Sequence, residues 1–144
     1  LMNKIAVFRK EHFNAAHRLH NPEKSEEWNK LQYGECNHVN WHGHKYELHV
    51  TVSGLPNPEA GYLIDLGKLK KVIEEVIISK CYHRNLNLDV DFLHNIIPSS
   101  ENLVISFFDQ LKAPVNALCD PFGKLYSVKL FETERNYAEY CPEK

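Results

Sequence analysis

The stretch Cys36-Asn-His-Val-Asn-Trp-His-Gly-His44 places one thiol and three imidazoles within nine positions. His42 and His44 are two apart at the start of an alternating segment, so strand geometry sends both rings to one face. Two imidazoles on one face can hold a divalent metal once a third ligand arrives from elsewhere. His17 ends an earlier alternating segment, and an antiparallel pairing would bring it beside the other two. Three neutral imidazoles with an open fourth position are a catalytic zinc pattern, able to polarise a substrate oxygen. Cys36 has two readings that spacing leaves open. It is a fourth ligand, which closes the site and makes it structural. Otherwise it is a thiol beside the metal, where a dication and imidazolium groups lower its pKa and make it a base and a nucleophile. The chain has nine histidines; His12, His20, His38, His49 and His94 read as ordinary surface or core residues.

The elements that must position these groups follow from periodicity. Residues 4–17 alternate, with Ile5, Val7, Phe13, Ala15 and His17 on one parity. Residues 18–41 are polar and irregular, with room for a short helix over 26–31. Residues 44–53 alternate cleanly, Tyr46, Leu48, Val50 and Val52 facing one way. The spacing predicts a helix over 65–80, capped by Asp65, with Leu66, Leu69, Ile73, Val76 and Ile77 on one stripe. A second helix is predicted in PSSENLVISFFDQL, residues 98–111. Residues 124–132 and 136–141 alternate again around the turn TERN. The order ββααββ implies an α+β domain: a four-stranded antiparallel sheet with two helices on one face. No internal repeat or linker divides residues 1–144, which read as a single domain. The open edges of so small a sheet need cover, and oligomerisation provides it.

Composition narrows the function classes. The net charge of −2 argues against nucleic acid or an anionic membrane as partner. No apolar run is long enough to span a bilayer, and the start LMNKIAVFRKEHF lacks a secretory pattern. Leu1, ahead of Met2, reads as an extraneous remnant. Cys36, Cys81, Cys119 and Cys141 are irregularly spaced, which favours reduced thiols over two disulfides and a cytoplasmic location.

Six segments occur in order: AAHRL (15–19), GECNHVNWHGHKY (34–46), GYLIDLGKLK (61–70), HRNLNLDV (83–90), SSEN (99–102) and LFETERN (130–136). Together they resemble the 6-pyruvoyl-tetrahydropterin synthase family, which includes the 6-carboxytetrahydropterin synthases of queuosine biosynthesis. The resemblance runs through nearly the whole chain and implies the tunnelling fold. It also implies trimers that join their sheets into a barrel, pairs of trimers stacked into hexamers, and active sites at subunit interfaces. The substrate it implies is a small molecule, 7,8-dihydroneopterin triphosphate, from which triphosphate is eliminated while protons move along the side chain. The carboxy branch releases acetaldehyde as well and leaves a 6-carboxylate. Carried over by motif, His17, His42 and His44 are the ligands of one Zn2+ per subunit, and Cys36 is the general base. Glu132 anchors the pterin by accepting two parallel hydrogen bonds. Ser99, Ser100 and Glu101 stand near the pterin, although a helix cap explains the serines equally well. His83 relays the proton.

One position departs from the family's pattern. Tyr82 stands where the family usually has an aspartate that orients and charges the histidine. A phenol that hydrogen-bonds His83, or Asp89 or Asp91 nearby, is a substitute; without one the chain is a pterin-binding zinc protein with impaired catalysis. Five residues separate Cys36 from His42, as in the pyruvoyl enzymes, which favours that branch over the carboxy one.

Overall fold

A computed structural model describes residues 3–144; Leu1 and Met2, and with them the reading of Leu1 as a remnant, lie outside the described residues. Alternation produces the two long strands. β1 (Ile5–His17) and β2 (His42–Gly54) pair antiparallel from Ile5 opposite Gly54 to His17 opposite His42. The second strand starts two residues before the alternating run suggested, so both His42 and His44 lie on it. β3 (Gly123–Phe131) pairs with β2, with a register shift between Thr51 and Val52, and β4 (Tyr137–Tyr140) pairs with β3. The sheet order is β1-β2-β3-β4.

Helix α1 (Glu26–Tyr33) starts at Ser25, whose hydroxyl accepts from Trp28 N, and carries Glu26 and Glu27 in its first turn, where the helix dipole favours them. A 3-10 turn, Gly34–Asn37, follows and carries Cys36. Asp65 caps α2 (Leu66–Ile73) through Gly67 N and Lys68 N. The helical run then widens into a π turn (Glu74–Ile78) and ends in a last short helix, α3 (Ser79–Cys81). Helix α4 (Ser100–Cys119) ends eight residues beyond its sequence signal and continues through Pro114. An interior proline costs about 3 kcal/mol, but stopping at Leu111 would leave Val115 and Cys119, now buried, without their contacts.

Helices α2, α3 and α4 cover one face of the sheet. Tyr46, Leu48, Val50 and Val52 are fully buried there and join Phe13, Ile73, Ile77, Phe107 and Leu111 in one apolar cluster. The other face carries exposed residues such as Phe8, His12, Lys45 and Glu47. All four cysteines are free thiols. Among the described residues no helix is long and apolar enough to cross a membrane.

Candidate metal centre and substrate cleft

The β1–β2 register sets His17 opposite His42 and Ala15 opposite His44, which collects three rings at one end of the sheet. Their centroids are 4.5 Å apart for His17–His42, 4.8 Å for His42–His44 and 5.1 Å for His17–His44. Each ring offers one nitrogen to a common point, and Glu132 offers a carboxylate oxygen; the four donor atoms lie within 4.8 Å of one another. Glu132 Oε1 is 2.9 Å from His44 Nε2 and 3.4 Å from His17 Nε2. The fourth member of the convergent group is therefore Glu132, and Cys36 does not belong to it.

His17 is buried, and its Nδ1 lies 2.8 Å from the carbonyl of Pro98. A carbonyl only accepts, so Nδ1 carries a proton and donates to it, which turns Nε2 toward the cluster. His17 Nε2, His42 Nδ1 and His44 Nε2 are buried without an aligned hydrogen-bond partner. Buried nitrogens left unpaired are costly, and a divalent cation at the centre satisfies all three. The donor set of three imidazoles suits zinc or a similar ion, with the Glu132 carboxylate beside it. Burial, aided by the neighbouring imidazoles, lowers the pKa of His42; burial also lowers that of His44, against the opposing pull of Glu132. Both are thus held neutral, the form that binds metal. Glu132 is held down at about 2, chiefly by its contact with His17, so it is ionised.

Glu132 also borders a cleft. The turn after β3 fixes it: Glu132 N donates to Asn136 O, and Thr133 Oγ1 accepts from Arg135 N and Asn136 N. Ser100 Oγ donates to Glu132 Oε2 at 3.1 Å. Ser100, Glu101 and Glu132 line a cleft of about 390 Å3 together with Arg135, Asn136 and Tyr137. Ser99 does not line it; its hydroxyl caps α4 by accepting from Asn102 N.

Cys36 is half-buried. Burial first, then Glu132 and Glu35, raises its thiol pKa. His83 lies elsewhere. It has φ +55°, its N–H donates to Asn14 O at 2.7 Å, and its ring stacks on Tyr82 at 3.7 Å. It lines a separate cleft of about 630 Å3 with Asn14, Gly43, His44, Lys45 and Asp89, and Cys36 is not part of that lining. Tyr82 thus meets His83 face to face, while Asp89 is engaged in accepting from Asn85 N.

Two further groups at the centre escaped the sequence reading. The Pro98 carbonyl carries no side-chain signal. Tyr46 shares the face of His42 and His44; its ring stands edge-on to His17 and His44, and its buried hydroxyl has no partner. The spacing His-x-His-x-Tyr was the available clue.

Residues 6–143 match the model of the 6-pyruvoyl tetrahydropterin synthase family. The human 6-pyruvoyl tetrahydrobiopterin synthase is 37% identical over 137 residues, covering 95% of this chain and 91% of that one. The structure of the Caenorhabditis elegans 6-pyruvoyl tetrahydropterin synthase superposes with a TM-score of 0.86 at 36% identity, covering 97% of this chain and 96% of the other. The Bacillus subtilis 6-carboxy-5,6,7,8-tetrahydropterin synthase is 29% identical over 116 residues, or 77% of this chain and 73% of that protein. With the four-stranded sheet and its helices agreeing in order and extent, the chain belongs to the 6-pyruvoyl tetrahydropterin synthase family of enzymes.

Proposed function

We propose that this chain is a zinc-dependent 6-pyruvoyl-tetrahydropterin synthase that eliminates triphosphate from 7,8-dihydroneopterin triphosphate. The observation that carries the reading is the set of three unpartnered imidazole nitrogens beside a cleft closed by Glu132. Similarity to the human and nematode enzymes supports it. His17, His42 and His44 hold the ion, and His17 is kept in register by Pro98. A bound divalent cation polarises the oxygens of the substrate side chain and acidifies the adjacent C–H bonds.

The remaining roles belong to the chain. Glu132, ionised and steadied by Ser100, accepts two parallel hydrogen bonds from the N–H edge of the pterin. Glu101 borders the same cleft, and Ser99 serves it indirectly by starting the helix that delivers Ser100. Cys36 takes the proton from the side-chain carbon, and triphosphate departs with the electrons of the C–O bond. His83 exchanges that proton. Because Cys36 does not line the cleft of His83, the relay runs between neighbouring copies in a trimer or a hexamer of two trimers. The open edges of β1 and β4 support such joining. Residues 1–144 act as one domain in the cytoplasm.

The test is incubation with zinc and dihydroneopterin triphosphate, followed by mass identification of the products. Triphosphate with 6-pyruvoyl-tetrahydropterin is expected. Acetaldehyde with a 6-carboxypterin would move the chain to the carboxy branch, and equal turnover after metal removal would overturn the metal's role.

A further inference from the structure

The segment that carries Cys36 is polar and irregular, yet a buried amide pins it. Asn37 is only 8% exposed. Its Nδ2 donates to Leu19 O at 2.8 Å and to His20 Nδ1 at 2.9 Å. Leu19 N donates to Cys36 O at 2.7 Å. These three bonds tie residues 36 and 37 to residues 19 and 20, just beyond the metal-site residue His17. Arg18 Nη2 also donates to His20 Nδ1, at 3.1 Å. With two donors aimed at it, Nδ1 is an acceptor, so the ring proton belongs on Nε2.

The other end of this clamp is fixed as well. Arg18 N donates to Asn87 Oδ1 and Asn87 Nδ2 donates back to Arg18 O, both at 2.9 Å. The Arg18 guanidinium sits 5.6 Å over the ring of Trp41, a non-glycine residue at φ +63°. Such a backbone persists only where its surroundings enforce it. A proton-abstracting group works only within reach of its C–H bond, and small displacements are expensive.

We propose that Asn37 and His20 are positioning residues for Cys36, setting its thiol against the histidine group, a role that rests on Cys36 being the base. Asn37→Ala removes the donor and His20→Phe removes the acceptor. His20→Asn keeps an oxygen where Nδ1 stands. On zinc-loaded protein, four quantities are read: metal content, melting temperature, kcat and KM for triphosphate release, and the alkylation rate of Cys36 by iodoacetamide at one fixed pH.

Asn37→Ala and His20→Phe should retain metal and a cooperative melt, and lose roughly tenfold to a hundredfold in kcat with little change in KM. They should also alkylate Cys36 faster, because the turn opens. His20→Asn should restore both properties. The proposal is overturned if Asn37→Ala turns over normally, if the loss follows lost metal or a lost melting transition, or if His20→Asn is no better than His20→Phe. Should Asn37→Ala fail to fold, the two His20 variants decide. Should the parent protein release no triphosphate, the function reading fails, while the alkylation rates still decide the clamp: faster in His20→Phe upholds it, unchanged overturns it.

Discussion

His17 and His42 face each other across paired strands, and His44 follows on the same face, so register alone leaves each ring one place to go. His83 sits in the turn after α3, in a left-handed backbone conformation, with its ring against a phenol. The first arrangement collects ligand atoms before any ligand arrives. The second presents an imidazole at the flank of β1, stacked on Tyr82. The contrast is between a convergent group of side chains that strand register assembles and a single imidazole held by a turn.

The largest way to break the contrast is His42→Ala. Metal content should fall from about one ion per chain to almost none, and turnover should vanish with it, as read by metal analysis and phosphate release. Cys36→Ala comes next. Metal content should stay as in the parent protein, while the rate falls on the order of 10²–10⁴-fold, the usual worth of a positioned base; loss of the metal would make Cys36 a ligand. Tyr82→Asp sharpens the weaker half. Replacing a stacked phenol by a carboxylate should raise the rate about tenfold at unchanged metal content, since the carboxylate fixes the tautomer and raises the basicity of His83. An unchanged rate would show that stacking on Tyr82 orients His83 well enough.

A smaller effect is expected from pH. Burial lowers the folded-state pKa of His42 and His44. Below about 6.5, the unperturbed histidine value, the unfolded chain therefore takes up protons that the folded chain refuses. Metal-free protein should lose stability as pH falls from about 6.5 toward the lowered values and be unaffected above that range. Thermal melts across a pH series check this, and replacing both histidines by glutamine should flatten the slope.

Much of the centre was legible in sequence because strands repeat every two residues. Parity alone put His42 and His44 on one face, and pairing two alternating runs brought in His17. The joint position of Ser100 and Glu132 was visible only through the resemblance, since a cap serine and a strand glutamate look the same when solvated. The π turn and the run of α4 through Pro114 were invisible because tertiary burial overrides local preference there. His20 read as incidental for a similar reason: residues 18–41 have no period, so nothing in their order announces that Asn37 is buried. That Cys36 does not line the cleft of His83 left no trace in either motif.

The start of α4 touches both halves of the binding device. Pro98 holds His17 through its carbonyl, and two residues later Ser100 holds Glu132 through its hydroxyl. A shift of this short segment is therefore felt by the histidine group and by the Glu132 carboxylate together. Thermodynamic linkage then requires reciprocity: if occupancy of the cleft tightens the ion, the ion must tighten the cleft by the same factor. Ion affinity measured with and without a pterin in solution would report the size of that coupling, and exchanging Ser100 for alanine should reduce it.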